Sequence, residues 1–285
     1  MIEGKIDTVV QRTIQKEVAF EGIGIHTGAK SKIVVRPADA NTGVVFIKDG
    51  IEIPAKVEYT INSRNSTCLC KDGQIIKTIE HLMATFHGLG IDNVEVVVEG
   101  EEIPILDGSA RVFVNKILKV GLQDLEEMKK FALIQSCMEI KENQDRFLVA
   151  KPNSKLEIEY FIHYNNIPAL QGKMTYTHNF SNFLTIYSAK TFVLKEDLKI
   201  FKKLGIGKGI QIGSNAILVN PNDKPEKFIK HKVLDLLGDL YLLGYPFLGK
   251  LYVHKGGHSL HLQFVKCLKE QRKVKIVDAQ EVTAL

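Results

Sequence analysis

His231, Asp235 and Asp239 stand at successive steps of four residues in FIKHKVLDLLGDLYLLG. On a helix such side chains lie one above another, so an imidazole and a carboxylate at this spacing can converge on one metal ion. At about 100° per residue, Ile229, Val233, Leu236, Leu237 and Leu240 fall on the opposite side as a core stripe. The plainer reading of the polar face is that water covers it. A catalytic zinc takes three protein ligands and leaves a fourth position open, so a third ligand must come from elsewhere in the chain.

The segment KTIEHLMATFHGLG offers His81. It points away from the apolar stripe of Ile79, Leu82, Met83 and Phe86, and its neighbours Ala84, Thr85 and Gly88 are small enough to admit a second helix and a metal. Glu80 is turned by one residue step and can flank the open position without ligating, where a general base belongs. An exposed polar pair is the plainer reading of Glu80 and His81, and His87 is read as an ordinary polar residue. In HKGGHSLH, paired glycines bring a loop close to its surroundings and present His258 as a candidate general acid. His254 and His261 have equal local claims, and spacing does not separate the three.

These residues need elements to hold them. Helical patterns cover positions near 78–89 and 109–120, between short strands such as KIVVRP, TGVVFIK and NVEVVVEG. After the polar segment GLQDLEEMKKF a second series begins, with LEIEYFIHY and GKLYVHKGG as strands and two or three further helices. The mixture predicts an α+β chain of two domains, 1–125 and 126–285. The glycine-rich EGIGIHTG lacks the spacing of a dinucleotide fingerprint and precedes a strand, so it reads as a strand-turn-strand corner. No period of 20 to 50 residues recurs, which excludes solenoids and propellers.

Taken together and in order, TIEHL, HKVLDLLGDL and GGHSL resemble the UDP-3-O-acyl-N-acetylglucosamine deacetylases of Gram-negative lipid A synthesis. The resemblance extends through EGIGIHTG, GLGIDN with EIPILDGSA, and SAKTF, and so spans nearly the whole chain. It implies Zn2+ held by His81, His231 and Asp235, a base at Glu80 and a general acid at His258. It further implies that Thr191 donates to the developing oxyanion, that Phe192 packs on the substrate, that Lys232 helps bind the sugar nucleotide, and that Asp239 orients and charges His258. The implied fold is two α+β domains of related topology, each a sheet layered with helices, with the active site at their junction. An insert in the C-terminal domain, expected at IFKKLGIGKGIQIGSNAIL, would make an apolar passage for the substrate's acyl chain. His261 departs from the family pattern, which usually has Asn there. The chain's end soon after the last motif is read as leaving no room for the fused dehydratase domain of some relatives.

Composition narrows the classes further. The net charge of +5 is too small to imply nucleic acid, and no basic cluster interleaves aromatics for stacking. The N-terminal stretch MIEGKIDTVVQRTIQKEVAF has no apolar core for a signal peptide, and the most apolar run carries Asp235 and Asp239, so no transmembrane segment is expected. A cytoplasmic monomer acting on a small-molecule UDP-sugar with an acyl chain is expected, with transient contact to the inner membrane compatible with an amphiphilic substrate. Cys68 and Cys70 form a lone C-x-C without a second knuckle, which does not make a zinc ribbon. A non-catalytic sugar-nucleotide or phosphate-binding protein on the same fold is the alternative, and a thiol hydrolase using Cys68 or Cys70 with His81 a third.

Overall fold

The computed structural model describes residues 9–164 and 167–283. Positions 1–8 of the stretch read for a signal peptide lie outside the described residues. Seven α-helices lie among them: α1 (Glu80–Leu89), α2 (Arg111–Val120), α3 (Phe180–Ile186), α4 (Lys195–Leu204), α5 (Pro225–Tyr241), α6 (His258–Glu270) and α7 (Ala279–Thr283).

Two sheets carry the chain. In the N-terminal sheet the order is Val18–Ile23, Lys30–Pro37, Val94–Glu99, Val44–Lys48, Ile51–Pro54, with the pair 94–99 and 44–48 parallel and every other pair antiparallel. The C-terminal sheet repeats this order as Met138–Lys141, Phe147–Lys151, Phe247–His254, Leu156–His163, Gln171–Thr177, and again only the third and fourth strands are parallel. Lys130–Ile134 and Val274–Asp278 extend it from the first residues of Phe247–His254. Each parallel pair is closed by a long crossover whose last element is a helix, α1 in one half and α5 in the other, as parallel strands require. The α+β class and the related topology of the two domains therefore hold. The repeat spans more than 100 residues, far longer than the periods searched in the sequence.

Strand alternation sets the inner faces. In Leu156–His163 the residues Leu156, Ile158, Tyr160 and Ile162 are buried and their neighbours less so, the two-residue period of a half-buried strand. The two crossover helices, α1 and α5, depart from that pattern. All ten residues of α1 are buried, and in α5 the stripe Val233, Leu236, Leu237 and Leu240 is joined by His231, Asp235 and Asp239. These helices pack on each other at the centre of the molecule. A solvated polar face is thereby excluded for both. Contact is close because Gly238 has no side chain: a methyl group there would lie 2.1 Å from the Glu80 carbonyl oxygen.

The polar segment after α2 is not a bare separator. Leu122–Met128 is a strand that pairs antiparallel with Val10–Ile14, with a register shift between Val10 and Arg12. Its partner lies more than 100 residues away, which no local pattern can announce.

Candidate active site

The three candidate ligands meet where α1 and α5 cross. His81 Nε2 lies 3.1 Å from His231 Nε2 and 3.4 Å from Asp235 Oδ1. All three residues are buried, and ligand atoms of the three lie within 4.8 Å of one another. Among the described residues, His81 Nδ1, His231 Nδ1 and Asp235 Oδ1 are buried with no hydrogen-bond partner. Buried polar atoms normally find partners, so this cluster fits a cation that would gather two imidazoles and a carboxylate. Burial holds His231 down to about 3, the neutral form a ligand needs. Burial alone would raise Asp235, but His231 and Lys232 beside it keep the carboxyl well below its ordinary range.

Glu80 stands beside the cluster, 5% exposed. Its Oε2 accepts the Thr67 backbone N–H at 3.0 Å, and its Oε1 lies 3.8 Å from His258 Nε2. Burial pushes the Glu80 carboxyl up, which favours proton uptake. His258 opens α6, following Gly257. Burial opposes its charge, yet Asp239 and Glu80 outweigh burial and raise the imidazole to about 10. His258 Nδ1 donates to Asp239 Oδ2 at 2.8 Å, and His261 Nδ1 donates to the same oxygen at 2.8 Å. His261 thus supplies the N–H donor that an Asn side chain can also supply. It is fully buried and directed away from the cavity, with Nε2 3.4 Å from the Tyr160 hydroxyl. Of the three histidines in HKGGHSLH, His258 is the one that reaches Glu80 and the ligand cluster.

Thr191 enters from the C-terminal half's excursion between Gln171–Thr177 and α5. Its backbone N–H donates to the Gly108 carbonyl at 2.8 Å, and its hydroxyl lies 3.3 Å from His231 Nε2. Phe192 meets His231 edge-on, with ring centres 5.6 Å apart. Lys232 Nζ is 3.5 Å from Asp235 Oδ2; burial would lower the ammonium, but Asp235 outweighs it and keeps it charged. Eight of the nine residues singled out line one cavity of about 690 Å³, and the ninth, Asp239, sits behind His258.

Several members of the site had no signal in the sequence. Thr67 precedes a short strand and touches both Glu80 and Asp239. The EGIGIHTG corner is a hairpin loop held by buried Glu102, which accepts the backbone N–H groups of His26 and Thr27 at 3.0 and 2.9 Å. Ile25 and His26 line the cavity, so the corner is also part of its wall. His87, by contrast, is a core histidine: its Nδ1 donates to the Leu237 carbonyl at 2.9 Å and its ring stacks on Tyr241. Cys68 is buried and its thiol pushed up by burial, the opposite of an activated nucleophile.

A family model described as LpxC, UDP-3-O-acyl N-acetylglycosamine deacetylase, matches residues 11–270. The UDP-3-O-acyl-N-acetylglucosamine deacetylase of Aquifex aeolicus is 38% identical over 272 residues, covering 93% of this chain and 95% of that protein. Proteins of the same name from Nautilia profundicola and Helicobacter pylori strain J99 are 35% and 34% identical, covering 94% and 92% of this chain and equal shares of their own lengths. With such coverage on both sides and a family match over residues 11–270, a range that contains every residue of the site, the chain belongs to the UDP-3-O-acyl-N-acetylglucosamine deacetylase family.

Proposed function

We propose that this protein removes the N-acetyl group from UDP-3-O-acyl-N-acetylglucosamine, releasing acetate in the committed step of lipid A biosynthesis. The observation that carries this reading is the convergence of His81, His231 and Asp235 beside an opposed Glu80 and His258. We assign zinc to the three ligands, since two imidazoles and one carboxylate with an open side suit it. When bound, the ion supplies Lewis-acid polarisation of the amide carbonyl and of the attacking water.

The chain's own groups do the rest. Glu80 accepts the water proton at Oε1, its other oxygen being taken by Thr67. The Thr191 hydroxyl donates to the developing oxyanion, a contact of the kind whose removal costs about 3 kcal/mol of transition-state stabilisation. His258, held as imidazolium by Asp239, protonates the departing amine from Nε2. Lys232 contacts the sugar nucleotide and Phe192 packs on it. Phe201 and Ile210, from the excursion expected to form the acyl passage, line the same cavity and are assigned to the fatty chain. We place the two domains at 1–125 and 126–285, a boundary that falls inside the strand Leu122–Met128.

No helix among the described residues is long and apolar enough to cross a membrane. A cytoplasmic monomer meeting its amphiphilic substrate at the inner leaflet fits this reading. Acetate release from the UDP-sugar, measured with the metal content of the same sample, is the test. Acetate should appear, stop on chelation and return with zinc. A metal-loaded protein that binds the UDP-sugar and never releases acetate would instead support the non-catalytic binding protein.

A further inference from the structure

Thr67 is fully buried and 172 positions from the carboxylate its side chain touches. Its hydroxyl donates to Asp239 Oδ1 at 2.6 Å, while Asp239 Oδ2 receives the two imidazole N–H groups of His258 and His261. Its backbone N–H donates to Glu80 Oε2 at 3.0 Å, and its carbonyl accepts the N–H of Ile79, the residue before α1, at 3.2 Å. Both main-chain groups of this residue are therefore tied to the start of α1, and its side chain to Asp239 of α5 and, at 3.1 Å, to His258 Nδ1 at the start of α6.

We propose that Thr67 is a positioning residue for the deacetylation, aligning the general base and the general acid through one rigid tie between Glu80 and Asp239. The inference rests on the reaction proposed above and concerns a residue that touches neither metal ligands nor cavity. One oxygen of each carboxylate is engaged by Thr67. The other is thereby committed: Glu80 Oε1 to the side facing His258 Nε2 at 3.8 Å, Asp239 Oδ2 to the imidazole donors. Without the hydroxyl, Asp239 loses the hydrogen bond that the structure shows at Oδ1, and its carboxylate is freed to rotate. The His258 ring then turns with it, because Nδ1 is held by that carboxylate at 2.8 Å and by the Thr67 hydroxyl itself at 3.1 Å. Mutating the partners that orient metal ligands typically costs about 10- to 100-fold in activity, and an effect of about that size is expected for Thr67, which orients the base and the acid.

The test compares Thr67→Val, which keeps the volume, with Thr67→Ser, which keeps the hydroxyl, in the zinc-loaded enzyme. For Thr67→Val we expect kcat to fall about 10- to 100-fold with KM within about threefold, and the zinc content unchanged. Thr67→Ser should recover kcat to within about threefold of the parent. In an Asp239→Asn background Thr67→Val should cost little more, since residues acting through one contact are not additive. Should the valine variant fail to fold, Thr67→Ala read for the same kcat and KM split replaces it. The proposal is overturned by a valine or alanine variant with parental kcat, by a serine variant as slow as valine, or by losses that add fully to Asp239→Asn. A parent enzyme that releases no acetate removes the deacetylase reading itself, and the role of Thr67 with it, a result distinct from an active parent indifferent to position 67.

Discussion

Helix α1 closes the N-terminal crossover as α5 closes the C-terminal one, yet the two contribute unequally to the site. The ten residues of α1 bring one candidate ligand, His81, and the proposed base Glu80, whereas the seventeen of α5 bring two candidate ligands, His231 and Asp235, and Asp239. The turns that follow the matching third strands differ in the same way. After Val94–Glu99 the chain offers Glu102, whose carboxylate is consumed in holding a loop, while after Phe247–His254 it offers His258, directed at the cavity. A shared topology thus fixes where helices and turns lie, and the side chains at those equivalent places are free to take structural or chemical work.

The division can be broken most severely at the ligands. His81→Ala and Asp235→Ala should each lose the ion and more activity than the roughly 10- to 100-fold expected for groups behind the ligands. Metal content per chain checks this, and an α1 variant that still held its ion would show that α5 alone builds the centre. Glu80→Gln comes next, with a loss of roughly 100- to 10,000-fold and the ion retained. Because burial raises Glu80, the acid limb of kcat/KM should lie above an ordinary carboxyl. Because Asp239 and Glu80 raise His258, the basic limb should lie above an ordinary imidazole and should vanish in His258→Ala.

A smaller effect sharpens the comparison at the seam between halves. His87 of α1 is buried against Leu237 and Tyr241 of α5 and is held down to about 4 by burial. Its folded pKa lies below the unfolded value of 6.5, so the unfolded chain binds the proton first as pH falls. Stability is full above about 6.5 and is lost between there and about 4, by about 3 kcal/mol. Urea titrations across that window measure it, and His87→Gln should flatten the slope. Gly238→Ala should cost about 1–3 kcal/mol by forcing the helices apart, read from the urea midpoint. An unchanged midpoint would mean that the crossing of α1 and α5 yields more readily than the 2.1 Å overlap of an added methyl with the Glu80 carbonyl implies.

How much of this was legible in the chain follows from the range of each interaction. The His231, Asp235 and Asp239 register is local, so helical spacing exposes it. The small residues beside His81 likewise announce a close neighbour, although Gly238 on the facing helix, where a side chain would clash with the Glu80 carbonyl, carries no mark. Thr67 precedes a short strand with no periodicity, and its partners lie 13 and 172 positions away. The strand Leu122–Met128 looked like a polar separator because its partner is the distant segment Val10–Ile14. Amphipathic patterning also understated burial: it assigns a polar face to water, whereas α5 buries that face because another helix carries complementary groups.

Both halves leave their sheets after the fifth matching strand and return at the crossover helix, through residues 55–79 in one and 178–224 in the other. The second excursion acts as a cassette. On the proposed assignment of Phe201 and Ile210 to the fatty chain, and provided Thr191 keeps its place on the Gly108 carbonyl, that stretch could be rewritten for a longer or shorter tail while His231 and Asp235 stay where the helix crossing puts them. Under that proposal, fit to the fatty chain and the geometry of the His81, His231 and Asp235 cluster are open to separate inheritance.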